Sequence, residues 1–176
     1  MQRRNWIAHR GNIEGPDQDR ENHPEYIQLA IEKGFDVEVD IWYIKNGEWW
    51  LGHDKPQYRI DFDFLKTRNT FLWVHTKNIE SCLYLKQYND DKRNNNEQTQ
   101  CIHTFDHTTE PFVFTSKGIK WVYPGQPILA VGDVDTICVL PEITPTTYTE
   151  NELKNCKGIC SDYIDQYRNR FESKPF

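Results

Sequence analysis

The chain of 176 residues lacks any long apolar run. No stretch approaches the roughly 18 consecutive apolar residues of a membrane-spanning helix, so we expect no transmembrane segment. The opening Met-Gln-Arg-Arg-Asn-Trp has no apolar core of the kind that a secretory leader requires, so we expect no signal peptide.

The sequence also lacks a cysteine pattern typical of a zinc site or a disulfide framework. It has five cysteines, an odd number, and the two that lie four positions apart have no second pair to match them. Buried or half-buried free thiols are typical of a reducing compartment, so we expect a cytoplasmic location. The five are Cys82, Cys101, Cys138, Cys156 and Cys160.

An excess of positive charge is missing as well. The formal net charge is −6 and the sequence pI is about 5.5. Nucleic-acid-binding proteins present basic faces, so we expect no nucleic-acid partner. A small anionic substrate is compatible with this charge, because a metal ion and one arginine can reverse the local field. The 24 aromatic residues provide material for a core, and the length favours one domain spanning residues 1–176.

Strand patterns recur along the chain, with helix patterns between the early ones. Strands are predicted at residues 6–8, 35–44, 49–51, 70–74, 118–123, 127–131, 136–140 and 157–162, and another one starts at residue 101. Helices are predicted from an N-cap at Asn22 to a C-cap at Gly34, at residues 63–65 and 80–88, and in the C-terminal tail. An Asn46-Gly47 pair predicts a hairpin, and residues 89–99 are polar throughout and predict a surface loop.

Alternating strands and helices predict an α/β fold with a parallel sheet. Reactive residues follow several of the strands, which favours an eight-stranded (β/α)8 barrel of the TIM type, where the site lies at the C-terminal face. Such barrels usually need at least about 200 residues. The gaps between residues 119 and 159 are too short for full helices. We therefore predict a shortened barrel whose second half has reduced outer helices.

Residues that could act in catalysis or bind a metal ion lie in three short segments, residues 7–11, 38–40 and 52–54. Side chains alternate along a strand, so Glu38 and Asp40 point to the same side and can converge on one cation. His9 and His53 titrate near neutral pH, as a general acid and a general base must. Arg10 offers a fork of donors suited to phosphate. Together these segments predict metal-assisted cleavage of a phosphodiester.

The acidic pair has a simpler interpretation as the solvated face of a strand. The apolar residues around it favour a buried strand instead, because Val37, Val39 and Ile41 surround the two carboxylates. An acidic pair in a buried strand needs a cation or hydrogen-bond donors.

These residues resemble those of the glycerophosphodiester phosphodiesterases, part of a wider group of barrel phosphodiesterases. The resemblance is dense over residues 5–54 and thinner from residue 73 to 164. It is carried by His9-Arg10-Gly11, Glu21-Asn22, Glu38-Val39-Asp40, Gly52-His53-Asp54, Trp73-Val74-His75-Thr76-Lys77-Asn78 and Gly158-Ile159-Cys160-Ser161-Asp162.

The resemblance implies roles for six of these positions. Glu38 and Asp40 would hold a divalent ion, usually Mg²⁺ or Ca²⁺, and His9 and His53 would be the acid–base pair. Arg10 would hold the phosphate, and Lys77 would neutralise its charge.

One position departs from the family pattern. Two residues before the lysine, family members carry an acidic metal ligand, and this chain has His75. An imidazole is less suited to Mg²⁺ or Ca²⁺, which prefer oxygen. His75 could therefore shift the site toward Mn²⁺ or Zn²⁺, weaken it, or contact the phosphate.

Several further residues have two interpretations. His103 and Asp106 are expected on the rim of the cavity rather than in it, and Trp121 and Tyr123 are expected to pack in the core rather than to cover a substrate. Other expectations are that Asp162 braces Arg10, that Asp54 orients His53 or caps a turn, that Asn22 caps a helix, and that nothing specific requires Glu142 to face the site.

The sequence thus predicts a metal-dependent hydrolase of glycerophosphodiester-like substrates, either small phosphodiesters or lipid head groups. The alternative is a catalytically impaired barrel that binds a phosphorylated ligand, which His75 and the short chain favour. A weaker third possibility is phosphoryl transfer that ends at a cyclic product. Neither the alcohols of the substrate nor the oligomeric state can be predicted from the sequence.

Overall fold

A computed structural model describes residues 4–45, 47–106, 109–128 and 135–172. Five helices are present in these ranges: α1 (Pro24–Glu32), α2 (Phe62–Thr67), α3 (Ile79–Asn94), α4 (Glu150–Asn155) and α5 (Ile164–Glu172). Ten strands are present: β1 (Asn5–His9), β2 (Asp36–Ile44), β3 (Glu48–Leu51), β4 (Tyr58–Ile60), β5 (Leu72–Thr76), β6 (Thr104–Asp106), β7 (Phe112–Phe114), β8 (Lys120–Val122), β9 (Thr136–Val139) and β10 (Gly158–Ser161).

All ten strands belong to one mixed sheet. Seven of them are parallel neighbours in the order β6, β5, β2, β1, β10, β9, β8. The long strand β2 extends past this row and pairs there with β3 in an antiparallel hairpin, as the Asn46-Gly47 signal predicted, and β4 pairs with β3. Asn46 itself lies outside the described residues. At the other end, β7 pairs antiparallel with β8.

The sheet curls strongly enough for side chains from the two ends of its parallel row to touch. Phe105 on β6 and Trp121 on β8 stand at opposite ends of the parallel row, yet their rings stack with centroids 4.4 Å apart. Trp73 on β5 also lies 5.6 Å from Trp121. Only strong curvature brings these side chains together, and they fill the concave face with apolar residues from β1, β9 and β10.

The curled sheet is not a closed barrel. No strand ladder joins β6 to β7 in the described residues, although the Ser116 N–H donates across the seam to the Thr104 carbonyl at 2.7 Å. The predicted α/β class and parallel sheet are therefore confirmed, and the sheet is compatible with a shortened TIM-type barrel. The expectation of a full eight-stranded closure is wrong, because the short β7 turns back along β8 instead of continuing the parallel row.

The helices cover the convex face in the first half of the chain. Ile27 and Ala30 of α1 and Leu85 of α3 are fully buried in one cluster with Val37 and Val39, the residues of β2 that face away from Glu38 and Asp40. In the second half, the connection from β9 to β10 has only a 3₁₀ turn (Pro141–Ile143) and the six-residue α4, as predicted. No described helix combines the length and the apolar character that crossing a bilayer would require.

Local structure differs from the sequence predictions at several places. Helix α1 is capped by His23, which accepts from the Glu25 N–H, and not by Asn22. Helix α3 continues to Asn94 through part of the predicted loop, because the buried Asn89 side chain bonds both the N–H and the carbonyl of Ile102. The three-residue strands β4 and β7 were not predicted. Residues 129–131 of the predicted strand 127–131 lie outside the described residues, and residues 127–128 are not in a strand.

Candidate functional site

The predicted site residues meet where β1 and β5 end and where the parallel-paired part of β2 ends. His9 is in register with Glu38 across β1 and β2, and Asp40 is in register with His75 across β2 and β5. Because side chains alternate along a strand, these four all point to the concave face, while Val37 and Val39 point to the helices.

Three of these residues form a cluster with the chemistry of a metal site. One ligand atom from each of Glu38, Asp40 and His75 lies within 4.8 Å of the other two, and all three residues are buried. His75 Nδ1 is 3.1 Å from Asp40 Oδ1 and 3.8 Å from Glu38 Oε1. Atoms that ligate one divalent ion at about 2.0–2.4 Å are about 3–4 Å apart, so the spacing fits a shared ion.

Two cations and one imidazole of the protein already surround Asp40. Its Oδ2 lies 3.2 Å from Arg10 Nε, and its Oδ1 lies 3.5 Å from Lys77 Nζ and 3.1 Å from His75. Burial alone would raise the pKa of Asp40, but the hydrogen bond to His75 and the charges of His75, Arg10 and Lys77 hold it well below its usual value. Asp40 is therefore ionised.

Glu38 is the opposite case. Burial and the neighbouring charge of Asp40 raise its pKa above the usual value, despite His9, His75 and Arg10 nearby. The protein's own cations thus leave the second carboxylate incompletely compensated. Two buried carboxylates with one imidazole fit a divalent cation, which would supply that compensation, and the imidazole makes Mn²⁺ or Zn²⁺ as suitable as Mg²⁺ or Ca²⁺.

Asn22 holds Asp40 in place. Its Nδ2 donates to Asp40 Oδ2 at 2.9 Å, and its Oδ1 accepts from the Asp40 N–H at 2.9 Å. Asn22 is fully buried with φ +61°, a left-handed conformation that asparagine tolerates. The expectation that Asn22 caps the helix is therefore wrong, because its side chain reaches the acidic strand.

His9 is held by a carboxylate from the last strand of the sheet. Its Nδ1 lies 2.7 Å from Asp162 Oδ1, and its Nε2 is 3.9 Å from Glu38. Burial would lower the pKa of His9, but Asp162 and Glu38 outweigh it and raise that pKa. Asp162 is fixed in turn by Asn12 Nδ2 at 2.8 Å and by Glu142, which accepts from its N–H at 2.9 Å. The hydrogen-bond partner of Asp162 in the site is therefore His9, and not Arg10 as expected.

Arg10 follows β1 in a left-handed conformation, with φ +53°. Its N–H donates to the Glu38 carbonyl at 3.0 Å, and Nη1 donates to Glu21 at 3.0 Å. Glu21 also accepts from Asn12 at 2.9 Å. No role could be assigned to Asn12 from the sequence, and Glu21 was included only in the family resemblance, because both lie in a polar loop whose composition predicts solvent exposure.

His53 approaches from the turn after β3. Gly52 precedes it with φ +145°, where a Cβ would lie 2.1 Å from the Lys55 carbonyl oxygen, so the turn requires glycine. His53 Nδ1 is 2.7 Å from Asp54 Oδ1. Burial lowers the pKa of His53, and the charges of Arg10 and Lys77 act in the same direction.

One cavity of about 400 Å³ collects all seven predicted site residues. They are His9, Arg10, Glu38, Asp40, His53, His75 and Lys77. Phe105, Trp121, Tyr123, Pro124, Val139 and Leu140 complete the lining. Trp121 is 2% exposed and packs in the apolar cluster of the concave face, as expected, and Tyr123 packs against that cluster. Both residues also line the cavity.

The other candidates lie elsewhere. His103 is buried, with Nε2 2.7 Å from Thr115 Oγ1, and is not on the rim. Asp106 contacts Thr76 and Cys82, and it lines a smaller cavity beside α3. Glu142 lines a separate cavity with Tyr163 and Arg170. All five cysteines are free.

Comparisons with known proteins assign no family. No protein-family model matches the chain, and no curated protein matches it. Among solved structures, one similar chain is a crystal structure described as a "putative glycerophosphodiester phosphodiesterase" from Galdieria sulphuraria, with 16% identity and a TM-score of 0.44. The match covers 95% of this chain and 97% of that one. A likeness at this level carries no assignment of activity.

Proposed function

We propose that this chain hydrolyses phosphodiesters, with glycerophosphodiesters as the substrate class, using a divalent cation held by Glu38, Asp40 and His75. The observation that carries the proposal is the single cavity in which this buried cluster meets two histidines, an arginine and a lysine. Those are the parts that cleavage of a phosphodiester needs: charge neutralisation, a proton acceptor and a proton donor. When bound, the ion would neutralise charge on the phosphate and on the leaving oxygen.

Arg10 and Lys77 would hold the phosphate. Both line the cavity, and both lie within 3.5 Å of Asp40, so their charges are positioned beside the cluster before a substrate arrives. Glu21 fixes the Arg10 guanidinium through Nη1. Preorganised cations beside the reacting phosphate stabilise charge that builds up in the transition state.

His9 and His53 would carry the proton transfers. Each has Nδ1 2.7 Å from an aspartate, Asp162 in one case and Asp54 in the other. This arrangement leaves Nε2 as the nitrogen for proton transfer and fixes the ring orientation. One histidine would take a proton from the nucleophile, and the other would give a proton to the leaving alcohol.

A second function has one observation in its favour. Asp40 already contacts Arg10, Lys77, His75 and Asn22, so the protein balances this carboxylate without an ion. A cavity balanced in this way would bind a phosphorylated ligand through Arg10 and Lys77 without turnover.

The experiment measures release of glycerol phosphate from glycerophosphocholine with Mg²⁺, Ca²⁺, Mn²⁺ or Zn²⁺. Glu38→Gln, His9→Ala and His53→Ala should each reduce metal-dependent turnover by at least about 100-fold. Asp36→Asn is the matched control. It removes a buried carboxylate from the same face of β2, and that carboxylate accepts hydrogen bonds from Asn5 and Trp73, outside the cluster.

Three outcomes separate the alternatives. Metal-dependent turnover lost in the three variants and kept in the control supports hydrolysis. Metal and phosphate binding without turnover favours the binding function. Turnover that is unchanged in His9→Ala and in His53→Ala refutes the roles of the histidines.

A further inference from the structure

We propose that, among phosphodiesters, the site prefers those in which one of the two alcohols is apolar, and that this alcohol lies on an apolar wall opposite the charged groups. The inference rests on the proposed function, because it names the substrate class of the same cavity. The apolar wall consists of Phe105, Trp121, Tyr123, Pro124, Val139 and Leu140.

The charged and the apolar residues that line the cavity come from different strands. Every charged or imidazole group that lines it comes from β1, β2, β5 or the segments directly after β1, β3 and β5. The described lining residues from β6, β8, β9 and the positions that follow them carry no charge. Tyr123 has the only hydroxyl among these wall residues, and it donates to the Asp106 carbonyl at 2.9 Å.

This division favours one kind of alcohol. A glycerol group placed on the wall would give up hydrogen bonds to water and meet side chains that do not replace them, which is unfavourable. An alkyl or aryl group on the same surface would gain from leaving water.

The wall is continuous with the metal cluster. The Phe105 ring stacks on the His75 imidazole, with centroids 4.9 Å apart and an angle of 10° between the planes. Phe105 also stacks on Trp121, with centroids 4.4 Å apart. A phosphate beside Glu38, Asp40 and His75 would therefore place its ester group against these rings. Because the rings pack on one another, this surface is preorganised.

Leu140 gives independent support. It adopts φ +47° and ψ +52°, a left-handed conformation that glycine and asparagine adopt readily and leucine does not. The Leu140 N–H donates to the Cys160 carbonyl at 2.7 Å, and its carbonyl accepts from Ile143 at 3.1 Å, so the backbone is fixed on both sides. Strained residues of this kind cluster at ligand sites. Here the strained position presents an apolar side chain to the cavity.

The test compares the binding of three phosphate monoesters by calorimetry: benzyl phosphate, hexyl phosphate and glycerol 3-phosphate. All three share the phosphate and differ in the alcohol. We expect benzyl or hexyl phosphate to bind at least about tenfold more tightly than glycerol 3-phosphate, from the apolar surface that it buries. Equal affinities, tighter binding of glycerol 3-phosphate, or no binding of any of the three would overturn the proposal.

Two variants locate the effect. Leu140→Asn keeps a residue that tolerates the left-handed conformation and puts an amide on the wall, so the preference for the apolar esters should fall by at least about threefold. Phe114→Ala is the control, because Phe114 is 56% exposed and lies outside this cavity, and the preference should not change. A preference unaffected by Leu140→Asn would contradict the placement.

The outcomes also separate this inference from the proposed function. Hydrolysis of glycerophosphocholine with no preference for apolar esters would support the proposed hydrolase function and overturn only the proposed role of the apolar wall. A strong preference without turnover of any diester would support the wall and contradict hydrolysis.

Discussion

Asn22 offers a way to disturb the acidic cluster without removing any of its charges. Replacing Asn22 by Gly keeps the left-handed backbone, because glycine adopts φ +61° without strain. It removes both side-chain bonds to Asp40 in a fully buried location. The bond to the carboxylate is charge-assisted, and loss of the other bond leaves the Asp40 N–H without its acceptor.

The magnitude follows from these two bonds. A charge-assisted hydrogen bond contributes about 1.5–3 kcal/mol, and a neutral one contributes about 0.5–1.5 kcal/mol. We therefore expect Asn22→Gly to lower the free energy of unfolding by about 2–4 kcal/mol. Asn96→Gly is a matched control, because Asn96 has the same residue type and φ +58° but is exposed, and its change should stay within about 0.5 kcal/mol.

Urea denaturation followed by tryptophan fluorescence measures both variants. A loss in Asn22→Gly no larger than the loss in Asn96→Gly would refute the claim that Asn22 anchors the acidic strand. Asn22→Asp gives a further check, because it keeps an acceptor for the Asp40 N–H but puts a second carboxylate beside Asp40, so we expect it to be no more stable than Asn22→Gly.

Three further predictions concern neighbouring groups. Asp162→Asn should lower kcat by about 10- to 100-fold with little change in KM, because it weakens the contact that orients His9, and steady-state kinetics on glycerophosphocholine checks this. Lys77→Met should raise the affinity for Mn²⁺ in calorimetry, because it removes a competing cation 3.5 Å from Asp40, and a weaker affinity would contradict the assignment. Burial and then the charge of Lys117 lower the pKa of His103 to about 3, while the unfolded chain binds that proton near pH 6.5. Folding should therefore lose about 2 kcal/mol from this group on going from pH 7.5 to 5.0, and His103→Gln should lack that part of the loss in urea titrations at the two pH values.

Much of the acidic cluster could be predicted because its signals are local. Glu38 and Asp40 share a face through strand alternation, and the apolar neighbours mark the strand as buried. The hairpin after β2 brings the chain back so that His53 reaches the same end. These inferences rely only on patterns among residues that lie within about 20 positions of one another in the sequence.

The supporting contacts could not be predicted because they join distant parts of the chain. Asp162 lies 153 positions from His9, and nothing near either residue in sequence indicates that they meet. Asn22 and His23 are adjacent, and either can accept from a helix N–H. The choice of His23 as the cap is settled only when β2 presents Asp40 to Asn22.

The shape of the sheet was predicted only in part for a similar reason. The polar segment after residue 88 has the composition of a loop, yet α3 continues to Asn94, because the buried Asn89 side chain bonds the backbone of Ile102. The open seam depends on the antiparallel return of β7, whose three residues are too few to give a period. Both features follow from packing that a linear pattern does not contain.

Anomalous scattering from crystals soaked in Mn²⁺ tests the central claim most directly. The account predicts a peak within about 2.5 Å of a carboxylate oxygen of Glu38, a carboxylate oxygen of Asp40 and a nitrogen of His75. The peak should be lost in Glu38→Gln and kept in Asp36→Asn. Crystals that show no peak in this cluster at millimolar Mn²⁺, or a peak that survives in Glu38→Gln, would contradict a metal site formed by Glu38, Asp40 and His75.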